Sequence, residues 1–227
     1  MDLTQMHNLN LKDALTVLAI KKSYQLKNNV FSLSEYNETT PLFPIGNGLN
    51  YIIPLVKKYY IVDTSSEEFA LSDKSVNFDF TISTKFKLLV KVSEDTKKEM
   101  LFKKDQKEIN EILSMECASL LNYYISLLRN TDKFSSSTMT RSFILEALNN
   151  NLTVMQIFHV IQASYNSASH LLRVGSFEEK IAASQFIKLF KGNLLKVTEG
   201  KIKNKESVSI PSKWKQSIYS KPILSIL

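Results

Sequence analysis

One cysteine, three histidines and three arginines are all that 227 residues contain of these types, and each scarcity removes a kind of chemistry. Cys117 by itself can neither close an intramolecular disulfide nor build a thiolate metal cluster, which suits a reducing compartment and points to nucleus or cytoplasm. The histidines are His7, His159 and His170, and the spacing of the last two fits no familiar ligand pair. A phosphate-cradling loop is missing as well: Gly46-Asn47-Gly48 is shorter than a P-loop and lacks its Lys-Ser/Thr. The serines at 135–137 have no base beside them in sequence and read as loop and cap residues. Without titratable groups in convergent positions, the chain is expected to be no enzyme and to use no cofactor or metal. No apolar run reaches the roughly 18–20 residues of a membrane span. Residues 1–11 lack the basic start and apolar stretch of a secretory signal, so neither membrane insertion nor secretion is expected.

What is abundant is lysine. The net charge is +7, and much of the excess is C-terminal: residues 192–227 hold seven lysines against Glu199 and Glu206. Lys196, Lys201, Lys203, Lys205, Lys213 and Lys215 are therefore candidate contacts to nucleic-acid phosphates or an acidic partner, drawn by salt-screened Coulomb attraction. A solvated lysine-rich surface is the plain alternative. With only Arg129, Arg141 and Arg173 available for bidentate reading of bases, any DNA or RNA contact is expected to be to the backbone and non-specific.

At 44% hydrophobic residues the chain can bury a sizeable core, and its length allows two small domains. Asn10 can cap a helix whose apolar face is Leu11, Ala14, Leu15 and Leu18, with Asp13 in the first turn, ending near Leu26. Residues 37–48 are rich in Asn, Thr, Pro and Gly and read as a loop, followed by a short helix over 49–58 that is interrupted or started near Pro54. Two β-prone segments flanking Asp63–Glu67 then suggest a hairpin. Helix, helix and hairpin make residues 1–75 a winged-helix-like domain.

Beyond it, Phe78, Phe80 and Ile82 alternate with Asn77, Asp79 and Thr81, and Phe86, Leu88, Val90 and Val92 with Lys85, Lys87, Leu89 and Lys91, as two strands with one buried face. The charged stretch 93–108 reads as a solvated helix or linker. From Leu113 the period becomes helical, with Cys117, Leu120, Leu121, Tyr124 and Leu128 on one stripe. Thr140 can cap a helix burying Ile144, Ala147 and Leu148, and the asparagines at 149–151 can supply the left-handed residue that ends it. Thr153 and Gln156 form a capping box for a second helix carrying Val154, Ile157, Phe158 and Ile161. Ser176 and Glu179 suggest another box, opening a helix through Phe190 that Gly192 ends. The end of the chain is unusually apolar, with Trp214, Ile218, Tyr219, Ile223 and Leu224, and either folds back or docks on a partner. The fold class expected is α+β: a winged-helix-like unit, then a small sheet packed with several short helices over 76–227, with a basic C-terminal segment.

The succession of an aromatic-alternating strand (76–83), a long apolar helix (113–129), the helix pair at 139–161 and the Pro-opened, Trp-bearing 210–220 resembles a module of the TFIIH core subunit that anchors the XPB helicase. A related module occurs in the N-terminal region of XPB-type helicases. Thr140, Arg141, Ala147, Thr153, Gln156, Ile157, Pro211 and Trp214 stand at the matching positions. The resemblance implies a non-enzymatic adaptor or scaffold in a transcription or DNA-repair assembly, with a helicase as partner and Arg141, Trp214, Ile218 and Tyr219 on the contact surface. The alternative is a winged-helix nucleic-acid-binding protein acting in transcription or replication.

Overall fold

A computed structural model describes residues 9–24, 29–46, 48–64, 80–90, 106–128, 138–203, 208 and 210–224. The fold is α+β and mostly helical, and the described residues form one three-stranded antiparallel sheet. Two compact units divide the chain, Met1–Glu108 with Gln216–Leu227, and Ile109–Lys215. The boundary expected at 75/76 lies outside the described residues. Lys85–Leu88, expected in the second domain, belongs with the first unit.

In the first unit, α1 (Leu11–Ser23) starts as its sequence dictates: the Asn10 side chain accepts the Asp13 backbone N–H at 2.8 Å, and Lys21 and Lys22 close the last turn, where the dipole favours cations. Its buried face is broader than the stripe read from periodicity. Ala14 and Leu15 are buried as expected, but Val17 and Ile20 join them while Leu11 and Leu18 are only half-buried. β1 (Val30–Ser32) follows, then a 3-10 turn over Leu33–Glu35 and the expected loop. Gly48 precedes α2 (Leu49–Lys57) at φ +87°, where an added Cβ would lie 3.1 Å from Leu33 and 3.2 Å from Phe43. Pro54 sits inside α2 without ending it.

β2 (Ile61–Asp63) pairs with β3 (Lys85–Leu88), and β3 with β1, so that the last strand is central in the order β1-β3-β2. The second arm of the hairpin expected around Asp63–Glu67, and Phe78, lie outside the described residues. β3 alternates as its sequence alternates, with Phe86 and Leu88 buried and Lys85 and Lys87 exposed. Ile82 departs from expectation: it occupies a turn and is 47% exposed, because the Thr81–Thr84 turn interrupts the strand pattern. The core joins Ile20, Ile52, Leu55 and Ile61 to Phe31 and Phe86, whose ring centroids are 5.8 Å apart.

The apolar end of the chain folds back within this unit. Ile218 and Tyr219 donate their backbone N–H groups to the Pro41 and Leu42 carbonyls at 3.0 and 3.1 Å, and the Tyr219 ring packs against Phe43 and Tyr51. The Pro-opened, Trp-bearing segment on which the resemblance draws is not helical: residues 211–220 are turns and irregular chain, and α7, Lys221–Leu224, follows them.

In the second unit, α3 (Gln106–Leu127) buries Leu113, Cys117, Leu120, Leu121 and Tyr124, the stripe that the sequence shows. α4 (Thr138–Asn149) begins before Thr140, which is buried within the helix rather than at its start. Its end is a Schellman arrangement: Asn151 takes φ +65°, its N–H reaches Leu148, and the Leu152 N–H reaches Ala147, both at 3.1 Å. α5 (Val154–Arg173) opens with the expected reciprocal box, the Gln156 N–H on Thr153 Oγ1 at 3.2 Å and the Thr153 N–H on Gln156 Oε1 at 2.9 Å. Ser176 does not open the next helix. A 3-10 turn at Glu179–Ile181 leads into α6 (Ala182–Thr198), whose N-cap is Ile181 without a side-chain bond, and Gly192 lies inside that helix. α5 and α6 pack along each other through Tyr165 and Phe186 and through an Asn193 to Ser164 hydrogen bond of 3.0 Å.

Candidate nucleic-acid interface

The basic surface of the first unit begins at the end of α2. Ile52 and Leu55 anchor that helix in the core, Ile61 anchors the strand after it, and the four residues between Val56 and Ile61 turn outward. The helix ends in another Schellman arrangement: the Tyr59 N–H bonds Val56 O and the Tyr60 N–H bonds Leu55 O, both at 2.9 Å. This places Tyr59 in the left-handed region, at φ +58°, with its residue 72% exposed. At the corresponding position after α5 and after α6 the chain has Gly175 and Gly200.

Two lysines lead into this turn. Lys57 and Lys58 are exposed beside it, and Lys58 pairs with the buried carboxylate of Asp13, so part of its charge is already engaged. The Leu89 N–H bonds Tyr60 O at 2.9 Å, which carries the turn directly into the β2–β3 pair. There Lys87 stands opposite Val30 and Val62, and Lys85 opposite Ser32. Across residues 49–64 and 80–90 the basic residues are Lys57, Lys58, Lys85 and Lys87, and the acidic one is Asp63. Such a surface offers ammonium groups to phosphates and one aromatic face to a base.

The residues singled out from the sequence fall elsewhere. Trp214, expected at a partner-facing surface, is 8% exposed; its ring meets Phe158 edge-on at 5.6 Å and its Nε1–H points to Ser119 Oγ at 3.4 Å. Tyr219 is buried and Ile218 half-buried in the first unit, because the chain end folds back there. Arg141 is half-buried, and its Nε donates to Ser114 Oγ at 3.2 Å. Lys196, Lys201, Lys203, Lys213 and Lys215 are exposed on the second unit, Lys201 pairing with Glu199 at 2.7 Å; Lys205 lies outside the described residues. His159 and His170 occupy α5 three turns apart, about 16 Å along its axis at 1.5 Å per residue.

Burial and the neighbouring Glu116 push the Cys117 thiol well above its ordinary pKa, so it stays protonated and a poor nucleophile. Among the described residues no cluster of three or more His, Cys, Asp or Glu converges, and no helix is long and apolar enough to cross a membrane. Sequence reasoning missed Tyr59. The only signal was a Lys-Lys-Tyr-Tyr run with no glycine or asparagine where a helix had to stop. Comparison with protein-family models, with curated proteins and with solved structures finds no match to this chain.

Proposed function

We propose that the chain is a non-enzymatic nucleic-acid-binding protein whose first unit is of the winged-helix kind and whose contacts are to the phosphate backbone. The observation that carries this reading is the order of elements, α1, β1, α2, β2, β3, with the last strand central in the sheet. In this reading α2 takes the part of the groove-entering helix and β2 with β3 that of the wing, while β1, a 3-10 turn and a loop separate α1 from α2. Asn50, Pro54 and Lys57 are its exposed residues, Ile53 is half-buried, and it contains no arginine. Such a helix fits against a backbone better than it reads base edges. The connection 65–79 carries Glu67, Glu68, Asp73 and Asp79 against Lys74, so its charge repels phosphates. The attractive surface is thus α2 and β3. The exposed lysines of the second unit add a diffuse, sequence-independent attraction.

The test is a salt series on duplex DNA read by fluorescence anisotropy. Two to four phosphate contacts give a log–log slope of about −2 to −4. Binding that is absent, or independent of salt, overturns the reading.

The adaptor reading keeps one observation in its favour, the α4–α5 pair with its formed capping box, which carries the resemblance to the XPB-anchoring module. In that reading the protein works in a nuclear transcription or repair assembly and holds a helicase. Its contact surface is then the exposed Phe143 of α4 and Leu195 of α6, since Trp214 and Tyr219 are buried. Replacing Phe143 and Leu195 by serine abolishes co-purification with a helicase subunit if this holds. Undiminished recovery refutes it.

A further inference from the structure

Tyr59 is a large aromatic residue in the backbone region that glycine favours, and most of its surface is exposed. A side chain there pays a steric penalty that burial usually offsets, and at 72% exposure burial offsets little here. The same helix-ending geometry is met elsewhere with Gly175, Gly200 and Asn151. So the fold requires the turn but not a tyrosine. Lys57 and Lys58 precede it in the chain, and the Leu89 to Tyr60 hydrogen bond ties the turn to β3, which bears Lys87 two residues from Leu89 and Lys85 four residues from it.

We propose that Tyr59 is a stacking platform for an unpaired base of a nucleic-acid strand whose phosphates are held by these lysines. Charge complementarity selects the occupant: an exposed ring beside Lys57, Lys58 and Lys87, with the Asp13 carboxylate engaged by Lys58 and Asp63 on β2, suits a polyanion with flat apolar bases. A base has a π-face whatever its identity, so the contact is indifferent to sequence, as expected of a surface without arginine. The inference rests on the nucleic-acid reading above and adds to it a preference for strands or junctions with unstacked bases.

The experiment uses the full chain with a fluorescein-labelled oligothymidylate of about 20 nucleotides and a duplex of the same length. Tyr59→Gly and Tyr59→Phe are compared with wild type for affinity and for melting temperature. The wild type is expected to bind the single strand more tightly than the duplex, and Tyr59→Phe to bind within about twofold of it. Tyr59→Gly is expected to bind the single strand about 5- to 100-fold more weakly, the loss of one stacked base, while melting no lower than wild type. That pairing separates a ligand contact from a structural one.

If Tyr59→Gly binds like wild type, or the duplex is preferred, the stacking role is overturned and the backbone-binding reading stands. A melting temperature that drops in Tyr59→Gly overturns the premise that the ring is dispensable to the fold. Absence of salt-dependent binding to either probe removes the nucleic-acid reading and this inference together.

Discussion

Truncating Trp214 to alanine is expected to cost the second unit about 3–5 kcal/mol, the usual cost of removing a buried tryptophan. Three observations set the size. The residue is 8% exposed, so nearly all of its apolar surface is recovered from water on folding. Its edge-on meeting with Phe158, at 5.6 Å and 79°, adds about 0.5–1.5 kcal/mol beyond area. Its bond to Ser119 Oγ, at 3.4 Å, is long and contributes at the low end of the range of about 0.5–1.5 kcal/mol. Against a total stability of about 5–15 kcal/mol, such a loss moves a urea midpoint far outside error. Trp214 is the single tryptophan, so wild-type fluorescence reports this site alone, and its emission should be blue-shifted until the second unit unfolds. Unfolding of Trp214→Ala is followed by circular dichroism, with Trp214→Phe as a control that loses less. Wild-type emission typical of a water-exposed indole, or an unchanged midpoint in the alanine variant, would refute the placement of this residue in the core.

Gly192→Ala should stabilise the protein by about 0.5–1 kcal/mol, because the glycine lies inside α6 and an added Cβ meets nothing within 4 Å; calorimetry shows the sign directly. Thr153→Ala should cost about 1 kcal/mol through loss of the α5 cap, and Ile157→Ala, at a fully buried position, about 2–5 kcal/mol, both read from chemical denaturation. Burial raises the pKa of Tyr24, Tyr36, Tyr124 and Cys117, so the fold favours their neutral forms. The stability this contributes is complete below the ordinary values of 9.0 for the thiol and 10.0 for tyrosine, and is lost as pH rises past them. The melting temperature should accordingly fall between about pH 9 and pH 11, whereas a flat profile there would contradict the burial of these groups.

The features legible in the sequence are those whose cause is local. Asn10 caps α1, Thr153 and Gln156 cap α5, Asn151 ends α4 and the β3 alternation survives, because each depends on residues a few positions apart. β1 was not legible: three residues become a strand only through their register with Lys85–Lys87. Gly192 looked like a helix end, but Phe186, Phe190 and Leu194 bury one face of α6 on both sides of it, and that packing outweighs the glycine penalty. Ser176 and Glu179 have the letters of a capping box, yet residues 174–176 are taken up in the turn that ends α5, with Gly175 at φ +72° and the Ser176 N–H on Leu171 O. Trp214 looked like an interface anchor because its partners, Ser119 and Phe158, are distant in sequence. For the candidate site, the lysine-rich character was legible but its location was not. The excess of lysine over acid is concentrated in the tail, whereas the outward turn at Tyr59 follows from where α2 is anchored rather than from any pattern in the residues themselves.

The measurement that tests the central claim most directly compares two charge-neutralised variants in the duplex salt series. Lys57, Lys85 and Lys87 replaced by glutamine remove the exposed cations of α2 and β3, and Lys196, Lys203, Lys213 and Lys215 replaced by glutamine remove four of those of the second unit. If the first unit is the principal interface, the first variant flattens the slope by about 3 and loses most of the affinity, while the second changes either only slightly. The reverse outcome, an unchanged slope in the first variant and a flattened one in the second, would contradict the account.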